Sequence, residues 1–410
     1  MDPVRNPYAP GAGQRPPELA GRDRELDQFD VVLERVARGR PERSMILTGL
    51  RGVGKTVLLN ALRSQAIGRD WGTGKIEARP DQPLRRPLSG ALHMAIRELA
   101  PRHRALDEID DFLATLKAFA LRSNPPGGKL RERWQPGIDG PAATGRADSG
   151  DIEIDLVELL TDAAELATAV GTGIAIFIDE MQDLAAEDVS ALCAACHELS
   201  QTGAPLIVVG AGLPHLPALL SASKSYSERL FRYVRIDRLD RPAADRALLA
   251  PAEREDATFT PDALEALYAA ADGYPYFVQA YGKVTWDAAP STPITAADVK
   301  MAAPEAEAEL AVGFFGSRYE RATPAEREYM RAMALLNGGS LPREGELQYG
   351  TGEGISTSEI AVSLGRKPSS LSPARDSLMK KGLIYSAERG TVAFTVPHFA
   401  RYLRSQPVSD

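Results

Sequence analysis

Gly49-Leu50-Arg51-Gly52-Val53-Gly54-Lys55-Thr56 is the stretch that decides the fold of this chain. It matches the pattern G-x-x-x-x-G-K-[ST] at every fixed position. The apolar residues 44–48 before it are typical of a buried strand, and the apolar residues 56–62 after it are typical of a helix start. A strand, a glycine-rich loop and a helix in this order predict a loop whose backbone amides bind phosphate. The alternative is a glycine-rich turn that carries a lysine by chance.

Each residue of the phosphate loop, residues 49–56, has an expected role if the loop binds a nucleotide. Lys55 is expected to reach the β- and γ-phosphates, and Thr56 is expected to give its hydroxyl to Mg²⁺. The predicted nucleotide contacts in and directly after the loop are Gly49, Leu50, Arg51, Gly52, Val53, Gly54, Lys55, Thr56 and Val57.

A second predicted strand, residues 174–178, is apolar on both faces and ends in two carboxylates, Asp179 and Glu180. Such a strand suits the centre of a sheet that is covered by helices on both sides. Open α/β sheets place their ligands at the carboxyl ends of the strands. Asp179 is therefore expected to bind Mg²⁺, directly or through water, and Glu180 to orient and activate the attacking water.

Composition limits the class of protein. The chain has 410 residues, 44% hydrophobic and 25% charged, which is ordinary for a globular protein of two or three domains. It contains no apolar run of the ~20 residues that a membrane span needs. The proline- and glycine-rich residues 1–17 lack the apolar core of a signal peptide. We therefore expect a cytoplasmic location and no membrane partner.

The order of predicted elements divides the chain into segments. Residues 1–18 are predicted to be a flexible arm or a strap that lies on the next domain. Strands alternate with helices through residues 19–240, which predicts an α/β domain with a mostly parallel sheet, and residues 124–150 read as a mobile surface insertion. Residues 241–320 are predicted to be all helical, and residues 321–410 form a last segment. The predicted strands are 45–48, 75–78, 174–178, 206–209 and 233–236.

Four motifs together resemble AAA+ and STAND-type P-loop ATPases, most closely AAA ATPases related to origin-recognition proteins. They are the phosphate loop, Asp179-Glu180, Gly21-Arg22 with Glu25, and Gly273-Tyr274-Pro275. The resemblance covers roughly residues 17–400. It implies hydrolysis of ATP to ADP and phosphate, with Mg²⁺ as cofactor and with Lys55 and Glu180 as catalytic residues. It also implies a nucleotide held between an α/β core and a helical lid, residues 241–320.

The same resemblance gives roles to residues outside the loop. Arg22 is implied to lie near the adenine, and Gly273 and Pro275 in the nucleotide-facing turn of the lid. The alternative for Gly273-Tyr274-Pro275 is an ordinary turn between two helices. Arg229 and Arg232, with Arg235 beside them, are candidates for an arginine that acts on a neighbouring subunit of a homo-oligomer. Their alternative is a solvated or paired arginine.

The chain departs from the family pattern after the strand at 206–209. A polar residue that senses the γ-phosphate is usual there, but this chain has Gly210-Ala211-Gly212-Leu213-Pro214. Either another group positions the water, or hydrolysis is slow and the protein is a regulatory switch. The lid also lacks an arginine directly after Gly273.

The last segment resembles a winged helix–turn–helix domain, in which the third helix enters the DNA major groove. Residues 321–410 carry a net charge of +3, whereas the rest of the chain carries −11. Double-stranded DNA is therefore the predicted partner, and the alternative is a protein partner bound by a slow ATP switch. The candidate DNA contacts are Lys367, Ser369, Ser370, Ser372, Arg375 and Lys380, with Arg389 at the tip of the wing.

Cys193 and Cys196 precede His197 in the pattern of haem attachment, C-x-x-C-H. Haem attachment of this type requires export, for which the chain shows no signal. Both cysteines fall on one apolar face of a predicted helix, so we expect them to pack in the core.

Overall fold

The computed structural model of the chain describes residues 1–11, 13–99, 106–122, 137–336, 354–386, 390–396 and 398–406. The chain divides into two compact units. The α/β unit comprises Arg22–Gly49 and Lys55–Ile236, and the helical unit comprises Met1–Gly21, Leu50–Gly54 and Asp237–Asp410. Among the described residues, no helix combines the length and the apolar character needed to cross a membrane.

The α/β unit is built on a five-stranded sheet. Its strands are β1 (Ser44–Thr48), β2 (Gly72–Glu77), β3 (Ile174–Asp179), β4 (Leu206–Gly212) and β5 (Phe231–Arg235). They are ordered β2-β3-β4-β1-β5, and every neighbouring pair is parallel. All residues of β3 are buried, as expected for a central strand of a parallel sheet. The predicted α/β class with a parallel sheet is confirmed.

Eight α-helices accompany this sheet among the described residues of the unit. They are α1 (Asp23–Ala37), α2 (Lys55–Gly68), α3 (Arg85–Leu99), α4 (Leu106–Leu121), α5 (Ile152–Ala169), α6 (Ala186–Thr202), α7 (Leu216–Ser223) and α8 (Ser227–Leu230). The strand predicted at 75–78 starts earlier, at Gly72, because its first residues are small rather than apolar. An added Cβ on Gly74 would lie 2.7 Å from the carbonyl oxygen of Ala91, so glycine lets α3 pack closely on β2.

The predicted surface insertion is only partly described. Residues 124–136 of it lie outside the described residues. The end of the insertion is bonded to α5: Ser149 donates through its amide and its hydroxyl to Asp155, at 2.8 and 2.6 Å. Asp155 is fully buried and forms an ion pair of 2.8 Å with Arg85. Buried carboxylates need such partners, so the end of the insertion is fixed to α5.

The helical unit begins, after Asp237, with five helices and a π-helix. These are α9 (Arg241–Glu253), α10 (Pro261–Ala271), α11 (Pro275–Ala288), α12 (Ala296–Leu310), the π-helix Ala311–Gly316 and α13 (Ser317–Glu320). Thr295 and Asp298 bond each other's backbone and form a capping box at the start of α12. Helix α12 ends at Leu310, where the π-helix begins. The π-helix lets the consecutive side chains of Phe314 and Phe315 both be buried.

The N-terminal residues form a strap in the helical unit, not a flexible arm. The Tyr8 hydroxyl donates to the carbonyl of Leu248 at 2.6 Å, and Trp286 Nε1 donates to the carbonyl of Asp2 at 3.0 Å. Tyr8 is buried, with its ring centre 6.3 Å from that of Trp286. Burial of this aromatic side chain outweighs the low order expected of a segment rich in proline and glycine.

The C-terminal elements complete the helical unit. They are α14 (Pro324–Leu336), β6 (Ile355–Ser356), α15 (Thr357–Ser363), α16 (Pro368–Lys380), β7 (Ile384–Ser386), β8 (Thr391–Phe394) and α17 (Phe399–Ser405). The three strands form an antiparallel sheet in the order β6-β8-β7. Phe315 stacks on Phe399 and contacts Tyr402, with ring centres 5.8 and 5.4 Å apart. Residues 241–320 and 321–410, predicted as separate domains, therefore share one core.

Candidate functional site

The phosphate loop has the backbone shape that its glycines permit. Gly52 and Gly54 have φ angles of 85° and 90°, a left-handed region that side chains disfavour. No atom lies within 4 Å of the position that a Cβ on Gly54 would take, so the backbone there faces open space. Helix α2 starts at Lys55, directly after Gly54. The first amides of a helix lack partners within it, and they favour an anion at this end.

Lys55 is held at the start of α2 with its ammonium turned back toward the loop. Its side chain is buried, and Nζ donates to the carbonyl of Gly49 at 2.9 Å. The amide of Gly49 in turn donates to the carbonyl of Gly212, at the end of β4, at 3.2 Å. A buried ammonium at the start of the helix that follows the loop is suited to a polyphosphate, which an ammonium binds as a point charge.

The predicted acidic pair lies at the same edge of the sheet as the phosphate loop. Residue 178 in β3 pairs with Gly210 in β4, and Leu47 in β1 pairs with Ala211, so Asp179 is level with Leu47. Two strand spacings separate them, which is about 10 Å. Asp179 is buried, and its Oδ1 accepts from the amide of Glu180 at 2.9 Å.

Glu180 has a strained backbone and a fixed side chain. Its φ and ψ angles are 51° and 41°, in the left-handed region that is uncommon for residues other than glycine. Such conformations cluster at functional sites, where the surrounding structure enforces them. Glu180 Oε2 accepts from the side-chain amide of Gln182 at 2.5 Å. The carboxylate is thereby oriented by a neighbour two residues further along the chain.

Gln182 is a residue that the sequence interpretation missed. Besides its bond to Glu180, its Oε1 accepts from the amide of Leu213 at 3.1 Å. Gln182 therefore connects the acidic pair to the end of β4, where the family pattern places a polar sensor. The sequence signal was its position two residues after Glu180, and a single glutamine there predicts no contact.

The glycines that replace the expected sensor leave room for Met181 and Gln182. A Cβ on Gly212 would lie 2.8 Å from Oε1 of Gln182, and a Cβ on Gly210 would lie 1.9 Å from the sulfur of Met181. Side chains at these two positions of β4 would collide with the segment after β3. The polar group at this level of the sheet is thus supplied by Gln182.

The turn Gly273-Tyr274-Pro275 lies beside the phosphate loop in the helical unit. A Cβ on Gly52 would lie 3.8 Å from the ring of Tyr274 and 3.6 Å from the ring of Phe314. Gly273 has a φ of 67°, and its carbonyl accepts from the amide of Leu239 at 2.8 Å. Pro275 is the first residue of α11, a position that suits proline because it has no amide hydrogen to leave unpaired.

An ion pair holds this turn. Arg238 bonds Asp272 at 2.6 Å, and its guanidinium lies 5.6 Å from the centre of the Tyr274 ring. Burial is the largest cause acting on Asp272, and it raises the pKa of this carboxyl despite Arg238. Burial also raises the pKa of the Tyr274 phenol, which therefore stays neutral at physiological pH.

The residues present fit a nucleoside triphosphate with Mg²⁺. The open backbone at Gly54 leaves space for phosphate beside the first turn of α2. Thr56 offers a hydroxyl and Asp179 a carboxylate, both oxygen donors of the kind that Mg²⁺ prefers. Asp179 ends β3, and Thr56 lies in α2, the helix that follows β1 and the phosphate loop. Both residues are therefore at the carboxyl edge of the sheet.

Comparison with known proteins agrees with this geometry. Residues 18–209 match the sequence family described as the AAA ATPase domain. Residues 312–403 match a second family, described as a domain of unknown function. No protein of curated function is similar to this chain in sequence.

One solved structure shares the fold of this chain, and two others are less similar to it. The Walker-type ATPase of Pyrococcus abyssi is 16% identical, with a TM-score of 0.57 over 95% of this chain and 97% of that one. The Orc1 protein of Aeropyrum pernix, solved in complex with DNA, is 16% identical with a TM-score of 0.46 over 98% and 96%. The RuvB Holliday junction branch migration motor of Thermotoga maritima is 15% identical, with a TM-score of 0.45 over 97% and 100%.

The candidate arginines of the α/β unit lie at different ends of the sheet. Arg22 is buried at the start of α1. Arg229 lies in α8, before β5, and Arg232 near the start of β5 donates to Gln28 at 2.5 Å. Both lie at the amino end of the strands, opposite the phosphate loop. Arg235 ends β5 level with Thr48, beside the phosphate loop.

The predicted DNA contacts lie mostly on the exposed side of α16. Lys367, Ser369, Ser370 and Lys380 are exposed, while Ser372 and Arg375 are half-buried. Arg375 is paired with its neighbour Asp376 at 2.9 Å, which reduces the positive charge that it presents. Arg389 lies outside the described residues.

Cys193 and Cys196 are buried free thiols in α6 of the ATPase domain. Burial raises the pKa of both thiols to about 12, so they remain protonated at physiological pH. Protonated buried thiols are poor nucleophiles and poor metal ligands. Their packing in the core is as expected.

Proposed function

We propose that this chain binds ATP with Mg²⁺ and hydrolyses it to ADP and phosphate. The observation that carries the proposal is the phosphate loop at the carboxyl edge of the sheet, with Lys55 at its end and Asp179-Glu180 two strands away. That arrangement supplies the positions for anion binding, metal ligation and activation of water. An AAA ATPase domain over residues 18–209 agrees with it.

Each residue has one task in this proposal. The glycine amides of the loop and the Lys55 ammonium bind the phosphates and stabilise the negative charge that shifts during transfer. Mg²⁺, held by Thr56 and Asp179, would neutralise charge on the β- and γ-phosphates. Glu180 accepts hydrogen bonds from the attacking water and orients it toward the γ-phosphate. Arg22 contributes to the nucleotide site outside the loop.

Release of phosphate from ATP by the full-length protein tests this proposal. We expect steady release that needs Mg²⁺ and stops when the metal is chelated. Tightly retained ADP with negligible turnover would instead support the slow regulatory switch. The absence of both turnover and bound nucleotide would contradict the proposal.

Gln182→Leu tests the proposed role of Gln182 in positioning Glu180. We expect kcat for ATP hydrolysis to fall by about a hundredfold, since a catalytic group displaced by ~1 Å loses that much. ATP affinity is expected to stay unchanged, because Gln182 is not proposed to touch the nucleotide. Gln201→Leu on α6 is the matched control, with a side chain that bonds only to His197. Normal turnover in Gln182→Leu, with normal thermal stability, would contradict this role.

We further propose that the C-terminal elements form a winged helix that binds double-stranded DNA, with the nucleotide state controlling binding through the lid. Support comes from α16, whose ends carry the exposed cations Lys367 and Lys380. Thirteen helical residues place these ends about 20 Å apart, a span that crosses the DNA major groove. A lysine that contacts a DNA phosphate contributes to affinity mainly by releasing counterions from the DNA.

Lys367→Ala and Lys380→Ala test this DNA contact. Each is expected to weaken binding of labelled duplex DNA several-fold and to lower the slope of log affinity against log salt by about one. Lys300→Ala, which removes an exposed lysine from α12, is the control and should change neither. No duplex binding by the unchanged protein at about 50 mM salt, where contacts of this kind are strong, would favour a protein partner.

A further inference from the structure

Arg318 is a half-buried arginine without an ion-pair partner among the described residues. It lies in α13, directly after the π-helix. Its guanidinium lies 3.9 Å from the centre of the Phe314 ring, and one Nη atom donates to the Phe314 carbonyl. That bond occupies one of five donors. Arginines withdrawn from solvent normally pair with a carboxylate, and none of the described carboxylates bonds this one.

The surroundings of Arg318 connect it to the phosphate loop within the helical unit. The Phe314 ring under its guanidinium stacks on Tyr276, with ring centres 4.9 Å apart. The same Phe314 ring lies 3.6 Å from the position of a Cβ on Gly52. Arg318 therefore rests on an aromatic side chain that lies beside Gly52 of the phosphate loop.

The electrostatics at this position favour an anion. Burial and the nearby positive charges of Arg51 and Arg321 lower the pKa of Arg318 to about 10. Arg51 belongs to the phosphate loop, so two guanidinium groups of like charge are brought together beside it. An anion between them would offset both the burial and the repulsion. A guanidinium can bind phosphate oxygens with two parallel hydrogen bonds.

We infer that Arg318, together with Arg51, binds the polyphosphate of the nucleotide on the phosphate loop. The inference rests on the proposed ATP binding and names the residue that reads the phosphates from the helical unit. No arginine follows Gly273 directly, in the turn before α11. Arg318 in α13 provides an arginine elsewhere in the helical unit. The π-helix agrees with such a role, since π-helical turns recur at functional sites.

The inference is tested by calorimetric titration of ATP into full-length variants of Arg318. Arg318→Met keeps the length of the side chain and its packing on Phe314 but removes the charge. We expect its ATP affinity to fall by about tenfold to a hundredfold, as for loss of charged hydrogen bonds. Arg318→Lys should recover part of this loss, because it keeps the charge without the planar fork.

Arg327→Met is the matched control. Arg327 also lies over an aromatic ring, 4.6 Å from the centre of Tyr319, and donates to the Tyr319 carbonyl at 3.1 Å. Its substitution should leave ATP affinity unchanged. If the unchanged protein binds ATP and Arg318→Met binds it equally well, the inference is wrong while the proposed function stands. If the unchanged protein does not bind ATP, the proposed function itself fails.

Discussion

Lys55→Ala is expected to weaken ATP binding by more than about a hundredfold, the largest effect on ATP affinity among the substitutions that we propose. Nζ of Lys55 is a buried ammonium at the end of the loop, 2.9 Å from the Gly49 carbonyl oxygen. Alanine removes its charge-assisted hydrogen bonds to the phosphates, which are about twice as strong as neutral ones. Calorimetric titration of ATP in the presence of Mg²⁺ measures the loss.

The matched control for this substitution is Lys117→Ala. Lys117 also donates to backbone carbonyls of its own unit, at 2.9 Å to Ile138 and 2.6 Å to Gly140, but it lies in α4. It should change ATP affinity little. If Lys55→Ala unfolds at the normal temperature and binds ATP as tightly as the unchanged protein, residues 49–56 are not a phosphate-binding loop.

Glu180→Gln is expected to leave ATP bound while kcat for its hydrolysis falls by about a thousandfold. The amide has nearly the shape of the carboxylate, but it carries no charge and cannot accept a proton from water. Loss of a general base typically costs a factor of 10² to about 10⁴. Phosphate release in single-turnover experiments, beside a binding titration, separates the two quantities.

Glu187→Gln is the control for Glu180→Gln, because Glu187 is an exposed carboxylate in the first turn of α6. It should hydrolyse ATP at the normal rate. Hydrolysis at the normal rate in Glu180→Gln would assign activation of the water to another residue. Loss of ATP affinity in this variant would instead indicate that the carboxylate holds the metal.

The parts of the site that the sequence predicted are local. The phosphate loop needs glycine at two left-handed positions and a lysine at a helix start, so eight consecutive residues contain most of the information. Asp179-Glu180 follows a strand that is apolar on both faces, which predicts a central strand and its carboxyl end. Parallel pairing then brings the loop and the acidic pair to the same edge of the sheet. This follows from the fold class, in which all carboxyl ends of the strands lie at one edge, and not from the identity of these residues.

The parts that the sequence missed depend on contacts between distant segments. Gln182 matters because its amide meets Leu213 at the end of β4, and no spacing in the sequence predicts that bond. Arg318 packs on Phe314, which lies beside Gly52. Both residues come more than 260 positions after Gly52 in the sequence. The π-helix interrupts a sequence pattern that continues as an ordinary helix. The N-terminal strap depends in the same way on the burial of Tyr8.

Titration of ATP into the purified full-length protein by calorimetry, with Mg²⁺ in excess, is the most direct measurement of the central claim. We expect saturable binding of one ATP per chain and a rise in the unfolding temperature on loading. At a thousandfold excess over the dissociation constant, bound nucleotide should stabilise the fold by about 4 kcal/mol. An absence of heat, together with an unchanged unfolding temperature, would contradict the claim that residues 49–56 bind a nucleotide.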